Sequence, residues 1–144
     1  MAGASITIDL SGLAAMDGQL QAMFARASDL SPLMDAIGEA NVTQTRDRFE
    51  SERAPDGSAW KPSQRVLRFG GKTLTLDGFL SDSITYRAGS DQVEIGSNLV
   101  YARPHQLGWA EGGIPQREYL GVSRDDESEI AELAADYLLG ELAA

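Results

Sequence analysis

The sequence predicts an α+β fold, a small antiparallel β-sheet packed with several α-helices, in a single domain spanning residues 1–144. Three observations predict it. Apolar residues recur at three-to-four spacing over Leu13–Ala27 and again over Ile130–Leu138, the period of helices with one buried face. Between them, alternating residues flank Gly89-Ser90-Asp91, the pattern of a hairpin. The length suits one domain, and a chain of this size buries roughly 68–70% of its unfolded surface without a disulfide or metal staple.

The elements follow in order. Ser5 to Asp9 (S-I-T-I-D) alternates as a short strand with Ile6 and Ile8 on one face. A first helix carries Leu13, Met16, Leu20, Met23, Phe24 and Ala27 on one side, and Ser28, Asp29 and Ser31 interrupt it. Ser31-Pro32 then opens a second helix, with serine as N-cap and proline at the first helical position, where its missing N–H costs nothing. Leu33, Met34, Ile37, Val42 and Phe49 supply its apolar side, but beyond Asn41 it turns polar, which places it at an edge or against another subunit.

Glu52 to Lys72 reads as irregular, with a Pro55-Asp56-Gly57 turn in which proline presets φ and glycine accepts φ > 0. Arg65 to Lys72 reads as a mobile basic loop, free to order against a partner. Thr73 onward is a short element, a bend near Asp77-Gly78, and a strand from about Ser83 to Ala88. Gln92 to Gly96 returns with Val93 and Ile95 inward. A short helix fits Val100 to Leu107, ended by Gly108; Glu111-Gly112-Gly113 is a flexible tip, and Arg117 to Val122 a further strand candidate. Ser123 caps the last helix, whose acidic Asp125, Asp126 and Glu127 sit at its positive end and whose stripe is Ile130, Leu133, Ala134, Tyr137 and Leu138.

Composition excludes several classes. Cysteine is absent, so disulfides, thiolate metal sites and cysteine nucleophiles are all ruled out. No apolar run approaches the roughly 18 residues of a membrane helix, and the first ten residues lack a basic region followed by an apolar one, so no signal peptide is expected. The net charge of −10, 22 acidic against 12 basic residues, argues against a general nucleic-acid binder, whose affinity comes from cations neutralising phosphate. It fits an acidic soluble protein, or equally a surface past which DNA must slide without sticking.

No catalytic constellation emerges, and no cofactor or metal is expected. His105 is the one histidine, with no H-E-x-x-H and no G-x-S-x-G around it. A small hydrolase or nuclease using His105 with an acidic partner is the alternative of a different class. The run Asp125-Asp126-Glu127-Glu129 is explained by the helix dipole. Gly70-Gly71-Lys72-Thr73 has the tail of a phosphate-binding loop, but Val66 stands where its first glycine should be. Trp60 is expected to anchor its loop on the core; Trp109, beside Gly108, suits either core or interface.

Five pieces in order carry a resemblance: F-E-S-E-R-A-P-D-G-S-A-W-K-P (Phe49 to Pro62), L-x-x-S-I (Leu80 to Ile84), V-E-I-G-S (Val93 to Ser97), Y-A-R-P-H-Q-L-G (Tyr101 to Gly108) and I-P-Q-R-E-Y-L-G (Ile114 to Gly121). From about Ala40 onward the chain resembles the phage virion-morphogenesis, or tail-completion, family. Leu107 departs from the aromatic common there, and the span from Trp60 to Leu76 is short.

The resemblance implies a non-enzymatic assembly protein of the virion, put together in the host bacterial cytoplasm. It would complete the head-proximal end of the tail, or the neck, so that tail and DNA-filled head can join. Its partners would be itself, as a ring expected to be a hexamer, and tail-tube or neck/connector proteins; DNA would pass nearby without specific binding. A hexamer would carry six times the −10 of one chain. The resemblance also places Tyr101, His105, Gln106, Trp109, Pro115, Arg117 and Tyr119 at subunit or tail contacts, or directly supporting them.

Overall fold

The computed structural model describes residues 18–142. Helices α1 (Gly18–Ser28) and α2 (Ser31–Ser51) are followed by two short ones, α3 (Gln64–Phe69) and α4 (Phe79–Asp82). The hairpin of β1 (Thr85–Ala88) and β2 (Val93–Gly96) comes next, then α5 (Ala102–Leu107) and α6 (Arg124–Leu139). The α+β reading therefore holds, with six helices and one two-stranded antiparallel sheet among the described residues. The expected strand at Ser5–Asp9, and Leu13 and Met16 of the first helix, lie outside the described residues.

Helix α2 is the spine, touching β1, β2, α4 and α6. Its polar second half does not lie at an edge. Asn41, Thr45 and Arg48 are buried beside Val42 and Phe49, because each finds a hydrogen-bond partner inside the fold. The sheet packs on α2 at Gly38: a Cβ there would lie 2.3 Å from the Tyr86 ring, so only glycine admits the strand so close. Tyr86 then reaches over to donate to Asp35 Oδ1 at 2.8 Å. In the hairpin, Tyr86 pairs with Ile95 and Ala88 with Val93; Val93 and Ile95 are half-buried as expected, while Glu94 and Ala88 are exposed.

Several local expectations change. The second helix begins one residue earlier, at Ser31 itself, with Pro32 in its first turn; Asp29 accepts from the Ser31 backbone N–H (3.0 Å) and hydroxyl (2.6 Å), so aspartate supplies the turn assigned to serine. Arg65–Lys72 is not a mobile loop. Ser63 caps α3 by accepting from Val66 N, Arg65 Nη2 donates to the Lys72 carbonyl at 2.6 Å, and the Lys72 ammonium pairs with Glu50 at 2.6 Å. The tip at Glu111–Gly113 is a closed turn, pinned by reciprocal Trp109–Ile114 backbone bonds of 2.8 and 2.9 Å.

The core joins Val42 and Phe49 of α2 with Trp60, Leu80, Ile84, Ala102 and Tyr119. Phe49 meets Trp60 edge-on at 5.5 Å and Tyr119 tilted at 5.2 Å. Such ring pairs contribute about 0.5–1.5 kcal/mol each beyond the area they bury. Trp60 is thus a core anchor, as its sequence position suggested.

Candidate functional site

Residues 116–121 have the alternation of a strand but pair with no strand. Their backbone is satisfied by side chains instead. Gln106, on α5, accepts from Tyr119 N (3.0 Å) and Leu120 N (2.9 Å) through Oε1 and donates to the Leu120 carbonyl through Nε2 at 3.1 Å. From the opposite side the Arg48 guanidinium donates to the Tyr119 and Gly121 carbonyls at 2.9 and 3.1 Å. Trp60 Nε1 donates to the Glu118 carbonyl at 2.9 Å. A strand was expected at Arg117–Val122; the segment is extended, but Gln106, Arg48 and Trp60 take the positions a neighbouring strand would need.

Arg48 also forms a buried ion pair with Asp126, each side chain 9% exposed. Asp126 in turn closes the N-terminus of α6: it accepts from Ser123 N at 2.8 Å while Ser123 Oγ accepts from Asp126 N at 3.0 Å. One carboxylate therefore ties α2, the 119–121 segment and α6 together. The sequence carried a faint sign of it, since Asn41, Thr45 and Arg48 recur at the spacing of one helix face.

The seven predicted contact residues divide into two sets. Tyr119 is 1% exposed; its hydroxyl donates to the Ala102 carbonyl at 2.7 Å, and burial pushes its pKa up to about 12. Arg117 is buried too, its Nε donating to the Lys61 carbonyl at 2.6 Å and its backbone N–H to the His105 carbonyl at 2.8 Å. With Gln106, these two act inside the subunit and shape its surface from beneath. Tyr101 and Trp109 are on the outside, 42% and 51% exposed, and Pro115 is half-buried beside the Trp109 turn. The Trp109 ring lies against its own Gly112, where a Cβ would sit 2.0 Å from it; lacking that carbon, glycine lets the ring fold flat on the turn.

His105 stands between the sets. Its ring meets Tyr101 edge-on at 6.5 Å, and it shares a cavity of about 310 Å³ with Arg65, Leu76, Asp77, Phe79 and Arg117. Burial first, and the Arg117 charge second, hold its pKa below the ordinary histidine value, so the ring is neutral at pH 7. Its buried Nδ1 has no hydrogen-bond partner, where a general base would have a carboxylate orienting it. Among the described residues no group of three or more His, Asp or Glu side chains is placed to hold a metal ion. Lys72 and Thr73 do not form a phosphate cradle: Lys72 is held by Glu50, and Thr73 N donates to Glu52 Oε1 at 2.6 Å.

The pieces Phe49–Pro62, Tyr101–Gly108 and Ile114–Gly121 thus converge on one framework. The model of the phage virion morphogenesis family matches residues 12–139, nearly the whole chain. The chain belongs to the phage virion morphogenesis family. Within this morphogenesis family it is similar to "Putative capsid assembly protein G" of Escherichia phage Mu, 35% identical over 109 residues that cover 65% of this chain and 70% of the relative. It is also similar to Mu-like prophage FluMu G protein 2 of Haemophilus influenzae, 26% identical over 137 residues that cover 92% and 95% of the two chains. No solved structure matches. The protein is accordingly a phage morphogenesis protein, associated with virion assembly, and no helix among its described residues is long and apolar enough to cross a membrane.

Proposed function

We propose that this protein is a non-enzymatic assembly component that completes the head-proximal end of the phage tail, or the neck, and so enables head–tail joining. It works there as a single-domain subunit of a closed homo-oligomeric ring, a hexamer, against tail-tube or neck/connector proteins. The observation that carries the reading, given the family, is the number of large apolar side chains that stand exposed, three of which, Leu76, Phe79 and Tyr101, line one cavity. Phe69, Leu76, Phe79 and Val100 are 83%, 71%, 66% and 92% exposed, and Tyr101 and Trp109 continue the series. A subunit that stays alone rarely exposes so many large apolar side chains together. The −10 charge suits a ring whose lumen DNA crosses without adhering.

A hydrolase built on His105 lacks support, because its buried Nδ1 has no hydrogen-bond partner to orient the ring as a general base. A second assembly reading has one observation behind it: the phage Mu relative carries a name that refers to the capsid. Electron microscopy of a lysate from the parent phage with the gene deleted separates the two. Full heads beside unattached tails are expected; absent or malformed heads would move the role to the capsid, and intact infectious particles would remove both.

A further inference from the structure

The C-terminal end and the middle of α2 carry surfaces of opposite character. At its C-terminal end, anchored through Lys72 and Glu50, stands α3 (Gln-Arg-Val-Leu-Arg-Phe), which has two arginines and no acid. Leu67 and Phe69 project from it, 66% and 83% exposed, and Arg68 between them is exposed with no ion pair among the described residues. Toward the N-terminal half of α2 lies a groove of about 440 Å³ between α2 and α6. Its floor includes Ala40 and Leu133, and its rim is Glu39, Glu129, Asp136 and Glu141, with no cation in its lining. Thr43, the lining residue nearest Glu50 along α2, is seven residues from it, about 10 Å along the axis, and no residue of α3 lines the groove of its own chain.

We infer that the α3 knob of one subunit seats in the acidic α2–α6 groove of a second copy, Leu67 and Phe69 on the apolar floor and Arg68 against the carboxylate rim. The occupant is a second copy because the chain itself supplies both halves, an apolar basic projection and an apolar acidic recess. Charge of opposite sign aligns them and discourages knob-to-knob and groove-to-groove pairing. A contact between unlike patches leaves each subunit with one free knob and one free groove, so it repeats head to tail and closes into a ring when the rotation allows. This inference rests on the ring reading above.

The absence of cysteine makes the test direct. Purified Leu67→Cys protein is mixed with Ala40→Cys protein under mild oxidation, with circular dichroism confirming that both are folded. A mixed disulfide dimer is expected, and little or none when Leu67→Cys is mixed with Glu94→Cys, whose site faces out from the hairpin. Adding Arg68→Glu to the first protein lowers the yield at least about tenfold, since a like-charge contact costs several kcal/mol; adding Glu129→Lys to the second restores it. No mixed dimer, or equal yield with the Glu94→Cys control, overturns the inference, as does a yield insensitive to charge reversal. The deletion lysate reports separately: unattached tails without the cross-link would refute this interface and leave tail completion standing, whereas intact particles would refute tail completion whatever the cross-link shows.

Discussion

Replacing Asp126 with asparagine tests the central argument about what holds the fold together. Its carboxylate pairs with Arg48, accepts from Ser123 N and sits at the start of α6, with both charged side chains 9% exposed. In Asp126→Asn the Arg48 charge stays buried without its counterion, a change that costs about 3–5 kcal/mol. The capping box is retained in part, since the amide oxygen still accepts from Ser123 N, so little is added for the cap. For a domain with about 5–15 kcal/mol in total, such a loss brings the midpoint of thermal unfolding down by about 10 °C or more. Arg48→Met should cost as much or more, because it also strips the Tyr119 carbonyl of its donor and leaves the Gly121 carbonyl with Asn41 alone. Urea melts of wild type, both single variants and the Arg48→Met/Asp126→Asn pair give the coupling energy. The double variant is expected to be more stable than either single one, since both charges leave together. A loss below about 1 kcal/mol in Asp126→Asn, the range of exposed pairs, would refute the claim that this pair is buried and central.

Other expectations follow from the same contacts. Gln106→Ala orphans the Tyr119 and Leu120 N–H groups and should cost about 2–4 kcal/mol in urea melts, with hydrogen exchange of those two amides accelerating most. Gly38→Ala should destabilise by about 1–3 kcal/mol despite its better helix propensity, because the new methyl meets the Tyr86 ring at 2.3 Å; a neutral melt would refute that close packing. His105 has a folded pKa below its unfolded 6.5, so the unfolded chain binds the proton first as pH falls. Stability should therefore decline from about pH 6.5 downward until the folded pKa is passed, and His105→Gln should flatten that part of the profile. Trp109→Ala, at a half-exposed turn, should change stability little yet fail to complement a deletion phage if Trp109 is a contact.

What the sequence disclosed was whatever short-range signals encode. The hairpin was legible because Gly89-Ser90-Asp91 breaks two alternating runs, and α6 because Ser123 and its acids mark a helix start within four residues. The Arg48–Asp126 pair spans 78 positions and has no local signature beyond a polar stripe on α2. Alone, that stripe fits an edge or a contact with another subunit, because burial of an arginine is visible only once its partner is placed. In α3, the N-cap Ser63 and the terminating Gly70 were both present, but two glycines and four nearby cations suggested a loop. Arg117–Val122 has strand alternation, and nothing in six residues says that a glutamine from a helix will supply the pairing.

That last substitution explains how so small a sheet supports the fold. Two strands of four residues leave most extended backbone without a ladder, and a buried peptide group without a partner costs about 1–3 kcal/mol. Gln106, Arg48 and Trp60 meet that need with fixed side-chain geometry, and each comes from a different part of the chain. The segment they hold is anchored at Tyr119 and Arg117, and it runs directly from the Trp109 turn into α6. A hexameric ring would draw its neighbour contacts from α3, from the Trp109 turn and from the α2–α6 groove. The Trp109 turn and the start of α6 are joined through the segment this framework holds, so loosening Gln106 or Arg48 should disturb assembly at surfaces neither residue touches.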